Sequence, residues 1–141
     1  MKNNQEKGMN IPDDIKYLEN HQWLKIIDDI TIICGVTDYI QDSIGEVNLV
    51  EFINNISNSE IEPGEKIAII ESIKDSIDIK AFVSGRVIEI NRDLEESPEL
   101  INSDPYGDGW IYKMEISDTT MLDDILDPDE YLDIIFTEDL F

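Results

Sequence analysis

Of the 141 residues only ten are basic, one is cysteine and one is histidine, and each scarcity removes a class of function. With 33 Asp and Glu against 10 Lys and Arg, the formal net charge is −23. Nucleic acid and anionic membrane carry the same sign and repel such a surface, so the charge points to solubility and to basic protein partners. The lone thiol, Cys34, closes no internal disulfide, which excludes a disulfide scaffold and is compatible with a reducing compartment. It lies in an apolar stretch and reads as a small buried hydrophobe; a nucleophile would need the single imidazole, His21, as its base. No apolar run approaches the roughly 18 residues a transmembrane helix requires. A Gly-rich phosphate loop, a Cys/His metal cluster, a Ser-His-Asp set and the Asp-x-Asp-x-Asp-Gly spacing of a calcium loop are all missing. Carboxylate pairs are plentiful, but 33 acids produce them by chance. Neither a self-contained active site nor a metal centre is expected.

What is present is a β-forming chain of one domain's length. It is 41% hydrophobic, and 26 of its residues are isoleucine, a residue that suits a pleated, half-buried surface. Residues 1–14 are polar and aperiodic and read as a loose tail, without the pattern of a secretory or transit segment. The domain proper is expected over 15–141. His21–Ile26 and Thr31–Val36 flank Asp28-Asp29 as a hairpin. Thr37–Gly45 reads as a short helix with a Thr or Asp cap, Ile40 and Ile44 on one face and Gly45 as a left-handed stop. Val47–Ile53 is a strand, and 54–62 a polar loop ending in the turn Pro63-Gly64. Strands follow over Glu65–Glu71, Ser76–Lys80 and Val87–Ile90. Ser97-Pro98 predicts one capped helical turn, and 104–109 a turn-rich loop before a strand over Trp110–Ile116. Asp118 can cap a helix bearing Met121, Leu122 and Ile125, and Asp127-Pro128 one bearing Tyr131, Leu132 and Ile135. The ten acids and no base after Lys113 read as a solvated helix face.

The centre holds the one residue with a chemical use. Ser72-Ile73-Lys74-Asp75 joins two strands, with Gly64 ten residues before Lys74 and Gly85 eleven after it. This places the Lys74 amine at the tip of a tight turn, held out in solvent by backbone pairing on either side, which is what a modifying ligase needs. Lys66 and Lys80 read as mid-strand.

Glu71-Ser72-Ile73-Lys74, with Val83 to Asn91, resembles the lipoyl-lysine region of the glycine cleavage system H proteins. Gly35 to Gln41, Ile44-Gly45-Glu46-Val47 and above all the run Pro98 to Trp110 are similar too, in order from about Tyr17 to about Tyr131. The resemblance implies a mainly β barrel-sandwich hybrid with short peripheral and C-terminal helices. It implies a non-catalytic carrier, with lipoate amide-linked to Lys74 and Glu71, Ser72 and Ile73 read by the lipoyl ligase or transferase. The implied partners are a pyridoxal-phosphate glycine decarboxylase, a tetrahydrofolate-dependent aminomethyltransferase and a flavin (FAD) dihydrolipoyl dehydrogenase. The carrier is expected to be monomeric, and to work in a bacterial cytoplasm or, after removal of a presequence, a mitochondrial matrix.

Three positions depart from the pattern. His21-Gln22-Trp23 has an amide where the family has a carboxylate placed to hold the aminomethyl ammonium, and a neutral hydrogen bond retains a cation less well. Ser43 stands where many members have His, and Asp75 where Ala is common. His21, Gln22 and Ser43 are thus the residues the resemblance puts beside the lipoyl arm. The departures leave open a second role, an H-like relay that donates lipoate to other carriers, and a third, an unmodified acidic binding module. Biotin carriage is disfavoured, because Ile73 and Asp75 flank the lysine in place of methionines.

Overall fold

The computed structural model describes residues 10–118, 122–123 and 125–139. Strands β1 (Lys16–Tyr17), β2 (Gln22–Ile26), β3 (Thr31–Val36) and β4 (Val47–Phe52) come first, with helix α1 (Asp38–Ile44) between the last two. Next come β5 (Glu60–Ile61), β6 (Lys66–Ser72), β7 (Ser76–Lys80) and β8 (Gly85–Ile90). Two short helices, α2 (Asp93–Glu96) and α3 (Leu100–Ser103), precede β9 (Tyr112–Ile116) and the terminal helix α4 (Pro128–Asp139). The strands form a six-stranded sheet, β1-β2-β3-β9-β8-β5, and a three-stranded one, β4-β6-β7. Every pairing is antiparallel. This is the mainly β architecture with short helices that the sequence implied.

Each element has a local cause. At the β2–β3 turn the Asp28 carboxylate accepts from the backbone N–H groups of Ile30 (3.0 Å) and Thr31 (2.9 Å). The Ile30 bond is the larger reason that its carboxyl sits below the ordinary range. Thr37 caps α1, and Gly45 ends it with φ +81° and ψ −161°. The φ is positive as the sequence required, but the ψ is an extended one open essentially to glycine alone, not the left-handed helical stop expected. Asp127 and Glu130 form a reciprocal box at the start of α4, each carboxylate accepting from the other's backbone N–H at 2.9 and 3.0 Å. The two sheets enclose one core that includes Leu24, Ile32, Ile67, Ile70, Val87 and Met114. A second cluster, Ile11, Ile15, Tyr17, Trp23, Tyr131, Leu132 and Ile135, lies under α4. Burying each large aliphatic side chain of this kind contributes about 1.5–3 kcal/mol.

The structure corrects several expectations. Ile11, assigned to the loose tail of 1–14, is fully buried, because Asn10 is tied to Tyr106 and Asp38 and Pro12 accepts from Tyr17. The polar loop over 54–62 contains β5 and buries Ile56 and Ile61. Lys66 and Lys80 are not mid-strand; they face each other at the open end of the β6–β7 hairpin. Ser97 closes α2, a helix the sequence did not signal, and does not cap α3, whose first turn hydrogen-bonds to the Ser97 carbonyl. Of the helix expected after Asp118, Met121 lies outside the described residues, and 122–123 form a short 3-10 turn. Among the described residues no helix is long and apolar enough to cross a membrane.

Candidate functional site

Strands β6 and β7 pair from Lys66↔Lys80 to Glu71↔Ser76, so the four residues between Glu71 and the strand end at Ser76 make the tip, with Lys74 exposed upon it. The tip is held by one hydroxyl. Ser72 Oγ donates to the Ile44 carbonyl (2.6 Å) and accepts from the backbone N–H groups of Lys74 (3.1 Å) and Asp75 (3.0 Å), which uses its full donor and acceptor capacity. The Ile73 N–H reaches the Glu46 carbonyl at 3.2 Å, while the Ile73 side chain stands 69% exposed. The hairpin tip is thereby fastened to the segment that joins α1 to β4.

The Lys74 side chain lies over Gly45. A Cβ at Gly45 would sit 3.1 Å from Lys74 Cε and 4.0 Å from its Nζ. Among the described residues Lys74 makes no ion pair. Asp75, next to it, turns its carboxylate onto the Ser76 N–H at 2.8 Å, so its charge is engaged in the turn. On the other side of Gly45 opens a groove of about 500 Å³ between α1 and α3, lined by Gln41, Asp42, Glu46, Glu99 and Asn102 among others. Asn102 fixes its floor: the amide nitrogen donates to the Gly45 carbonyl and to Gln41 Oε1, both at 2.9 Å, and its oxygen accepts from the Val47 N–H at 2.8 Å.

The three residues expected beside the arm each engage protein partners. Gln22 is 2% exposed; its nitrogen donates to the Lys80 carbonyl (2.8 Å) and its oxygen accepts from the Tyr112 hydroxyl (2.9 Å). Lys80 is at the opposite end of β7 from the tip, so Gln22 braces the base of the hairpin. His21 has φ +67°. It packs on Tyr39 and turns toward α4, with Nδ1 2.8 Å from the Tyr131 hydroxyl and Nε2 3.1 Å from a Glu138 carboxylate oxygen. Burial pushes the Tyr131 phenol well above its ordinary range, so it stays protonated beside Thr37 and His21. Ser43 is the nearest of the three in sequence to the Ile44 carbonyl that holds the tip, but its hydroxyl turns back to the Tyr39 carbonyl at 2.9 Å. Sequence reasoning missed Asn102, whose partners lie 55 to 61 residues away, and Gly45 as the floor under Lys74; the only local signal was a glycine just past a helix.

The family model for the glycine cleavage H-protein matches residues 15–138. The chain belongs to that family. It is 40% identical over 128 residues to the glycine cleavage system H protein of Coprothermobacter proteolyticus, covering 90% of this chain and 98% of that one. It is 42% identical over 121 residues to the H protein of Carboxydothermus hydrogenoformans, covering 86% and 91%. It is also 42% identical to a probable H protein of Haloarcula marismortui, covering 91% and 98%. The crystal structure of a glycine cleavage system H protein from Mycobacterium marinum superposes with a TM-score of 0.76 at 26% identity, covering 87% of this chain and 97% of that one. As a member of the H-protein family the chain is a non-catalytic carrier bearing lipoate on a lysine, the shuttle component of glycine cleavage.

Proposed function

We propose that Lys74 is the lipoyl attachment site, and that Glu71, Ser72 and Ile73 present it to the lipoyl ligase or transferase. The observation that carries this is the tip itself: an exposed amine over Gly45, its own backbone and that of Asp75 tied to Ser72 Oγ. A ligase must find one amine in a fixed place, and here the hydroxyl of Ser72 fixes the place while Ile73 offers an exposed apolar handle.

Lipoate, when attached, supplies the dithiolane that carries the aminomethyl group and the electrons. The chain's own residues supply the rest. Lys74 tethers, Ser72 and the Glu46 carbonyl hold the tip still, and tethering raises the arm's local concentration at whichever partner is docked. Those partners are glycine decarboxylase, the aminomethyltransferase and dihydrolipoyl dehydrogenase. The net charge of −23 favours basic docking faces on them and makes association salt-sensitive. A bacterial cytoplasm is the proposed location, supported by the bacterial relatives. The carrier domain is proposed to begin at Ile11, whose side chain is part of the core beneath α4.

Tandem mass analysis of the peptide spanning Lys74, after expression with a lipoyl ligase, tests the assignment. A lipoyl mass on Lys74, absent from Lys74→Arg, is the expected result, with the modified protein supporting glycine–bicarbonate exchange by glycine decarboxylase. A lipoyl mass on Lys66 or Lys80 would refute it.

A further inference from the structure

We propose that His21 is a pH-sensitive latch on the last turn of α4: as an imidazolium it holds Glu138 and keeps that turn wound, and loss of the proton lets the turn fray. The latch is independent of what Lys74 carries.

It has a fixed side and a loose side. On the fixed side, His21 has a φ of +67°, a left-handed conformation that residues other than glycine seldom adopt. Backbone bonds hold it there: its N–H donates to the Leu18 carbonyl at 3.1 Å, and its carbonyl accepts from the Thr37 N–H at 3.0 Å. The side chain is 12% exposed, with Nδ1 2.8 Å from the Tyr131 hydroxyl and Nε2 3.1 Å from a Glu138 carboxylate oxygen. Both nitrogens face α4, and the tethered root of the ring cannot follow the helix if it moves. On the loose side, burial stops short of the helix end. Tyr131, Leu132 and Ile135 are buried, but Phe136 is half-buried and Thr137 and Glu138 are exposed. The Thr137 hydroxyl turns back onto the Asp133 carbonyl within the helix. Apolar packing therefore anchors α4 as far as Ile135, and the turn beyond it leans on polar ties.

Charge makes the tie depend on pH. α4 contains no Lys, Arg or His, and its last carbonyls form the negative end of the helix dipole, so a cation beside them has to come from outside the helix. Facing the ring are Tyr131 and Glu138 from α4 and Tyr39 from α1. Behind Tyr131 stand Thr37, 2.6 Å from its hydroxyl, Tyr17 of β1, stacked on its ring at 4.7 Å, and Tyr106. Phenols ordinarily ionise near 10, and burial pushes Tyr17 and Tyr131 higher still. Histidine is the side chain whose charge ordinarily changes between pH 5 and 8. With both nitrogens protonated, Nδ1 donates to Tyr131, Tyr131 donates on to Thr37, and Nε2 makes a charge-assisted bond to Glu138. A neutral ring has one proton for two contacts. Placing it on Nε2 keeps the Glu138 contact with an uncharged donor and requires Tyr131 to reverse and donate to Nδ1. The carboxylate then loses its counter-charge, in a chain of net charge −23, and the last turn loses its cation.

Amide exchange of the full chain, followed by NMR at pH 5.5 and pH 8, tests the latch. Each rate is divided by that of an unstructured chain at the same pH, so that only opening of the helix is read. Protection of the Phe136, Thr137 and Glu138 amides should fall roughly two- to fivefold from the lower pH to the higher, the size a partly exposed ion pair gives. Ile70 and Met114, in the core, should not follow. Glu138→Gln keeps an acceptor for Nε2 but no charge, and should hold the last turn at the parent's pH 8 level at both values. His21→Asn, whose side chain tolerates the left-handed φ, should sit at or below that level at both. A flat profile in the parent would overturn the proposal, as would a fall that survives unchanged in Glu138→Gln. Protection in His21→Asn equal to that of the parent at pH 5.5 would overturn it too.

Discussion

The side-chain oxygen of Gln22 accepts from the Tyr112 hydroxyl at 2.9 Å while its nitrogen donates to the Lys80 carbonyl at 2.8 Å, so one buried amide joins the six-stranded sheet to the base of the lysine hairpin. A neutral carboxylic acid could copy that pattern; a carboxylate could not, because it has no proton for the Lys80 carbonyl. Gln22→Glu therefore acquires a folded-state pKa above its unfolded value of about 4.3. Its stability is intact below that pH and is lost as pH rises through the raised value. Relative to the parent chain, the variant should be about 1–3 kcal/mol less stable at neutral pH and nearly equal near pH 4. Urea midpoints of both proteins at the two pH values check this. Equal loss at both would mean the site fails on shape, not charge.

Gly85 opens β8 opposite Ile116, and a Cβ there would run into the Glu115 backbone carbonyl. Backbone cannot step aside as a side chain can, so Gly85→Ala must part β8 from β9. A loss of at least about 2 kcal/mol is expected. Chemical denaturation measures it, and a change under about 0.5 kcal/mol, the range of ordinary surface substitutions, would contradict the packing described.

Gly45→Ala meets both a positive φ and the Lys74 side chain. We expect a cost of about 1–3 kcal/mol from the backbone. Slower gain of lipoyl mass should accompany it, since the amine must shift. Thermal midpoint and a modification time course report the two effects separately.

Cys34 is buried, and burial pushes its thiol up from 9.0 to about 12. It should resist thiol reagents at pH 8 in the folded protein and react fully in denaturant. A folded pKa above the unfolded one means stability that is complete below pH 9 and lost as the pH climbs toward 12, a direction the raised Tyr112 phenol reinforces. Rapid labelling of the native protein would disprove the burial.

Much of this was readable in the chain. The alternation of Ser76–Lys80 and the acids at the β2–β3 turn carry local signals, and each produced the element expected; the glycine after Ile44 ends α1 where expected, but with an extended ψ. What stayed hidden was non-local. β2 buries Gln22, Trp23 and Leu24 in succession and then exposes Lys25 and Ile26, so no two-residue period reveals which way Gln22 points; Tyr112, ninety residues on, decides it. Ile11 looked like tail because its burial depends on α4 and on Tyr106. The groove beside Lys74 depends on Asn102, an unremarkable polar residue until α3 is set against α1. α2 has no side-chain cap to announce it.

The Ser72 hydroxyl is bonded at once to the end of α1 and to the turn that bears the Lys74 amine; with lipoate on that amine, as proposed, it makes the pivot of the prosthetic tether stationary relative to the body. Three dissimilar enzymes must each meet the same swinging group. With a fixed fulcrum, the space that group sweeps is set by the tether's own bonds, and each enzyme need only recognise the body's orientation to know where the sulfurs will arrive.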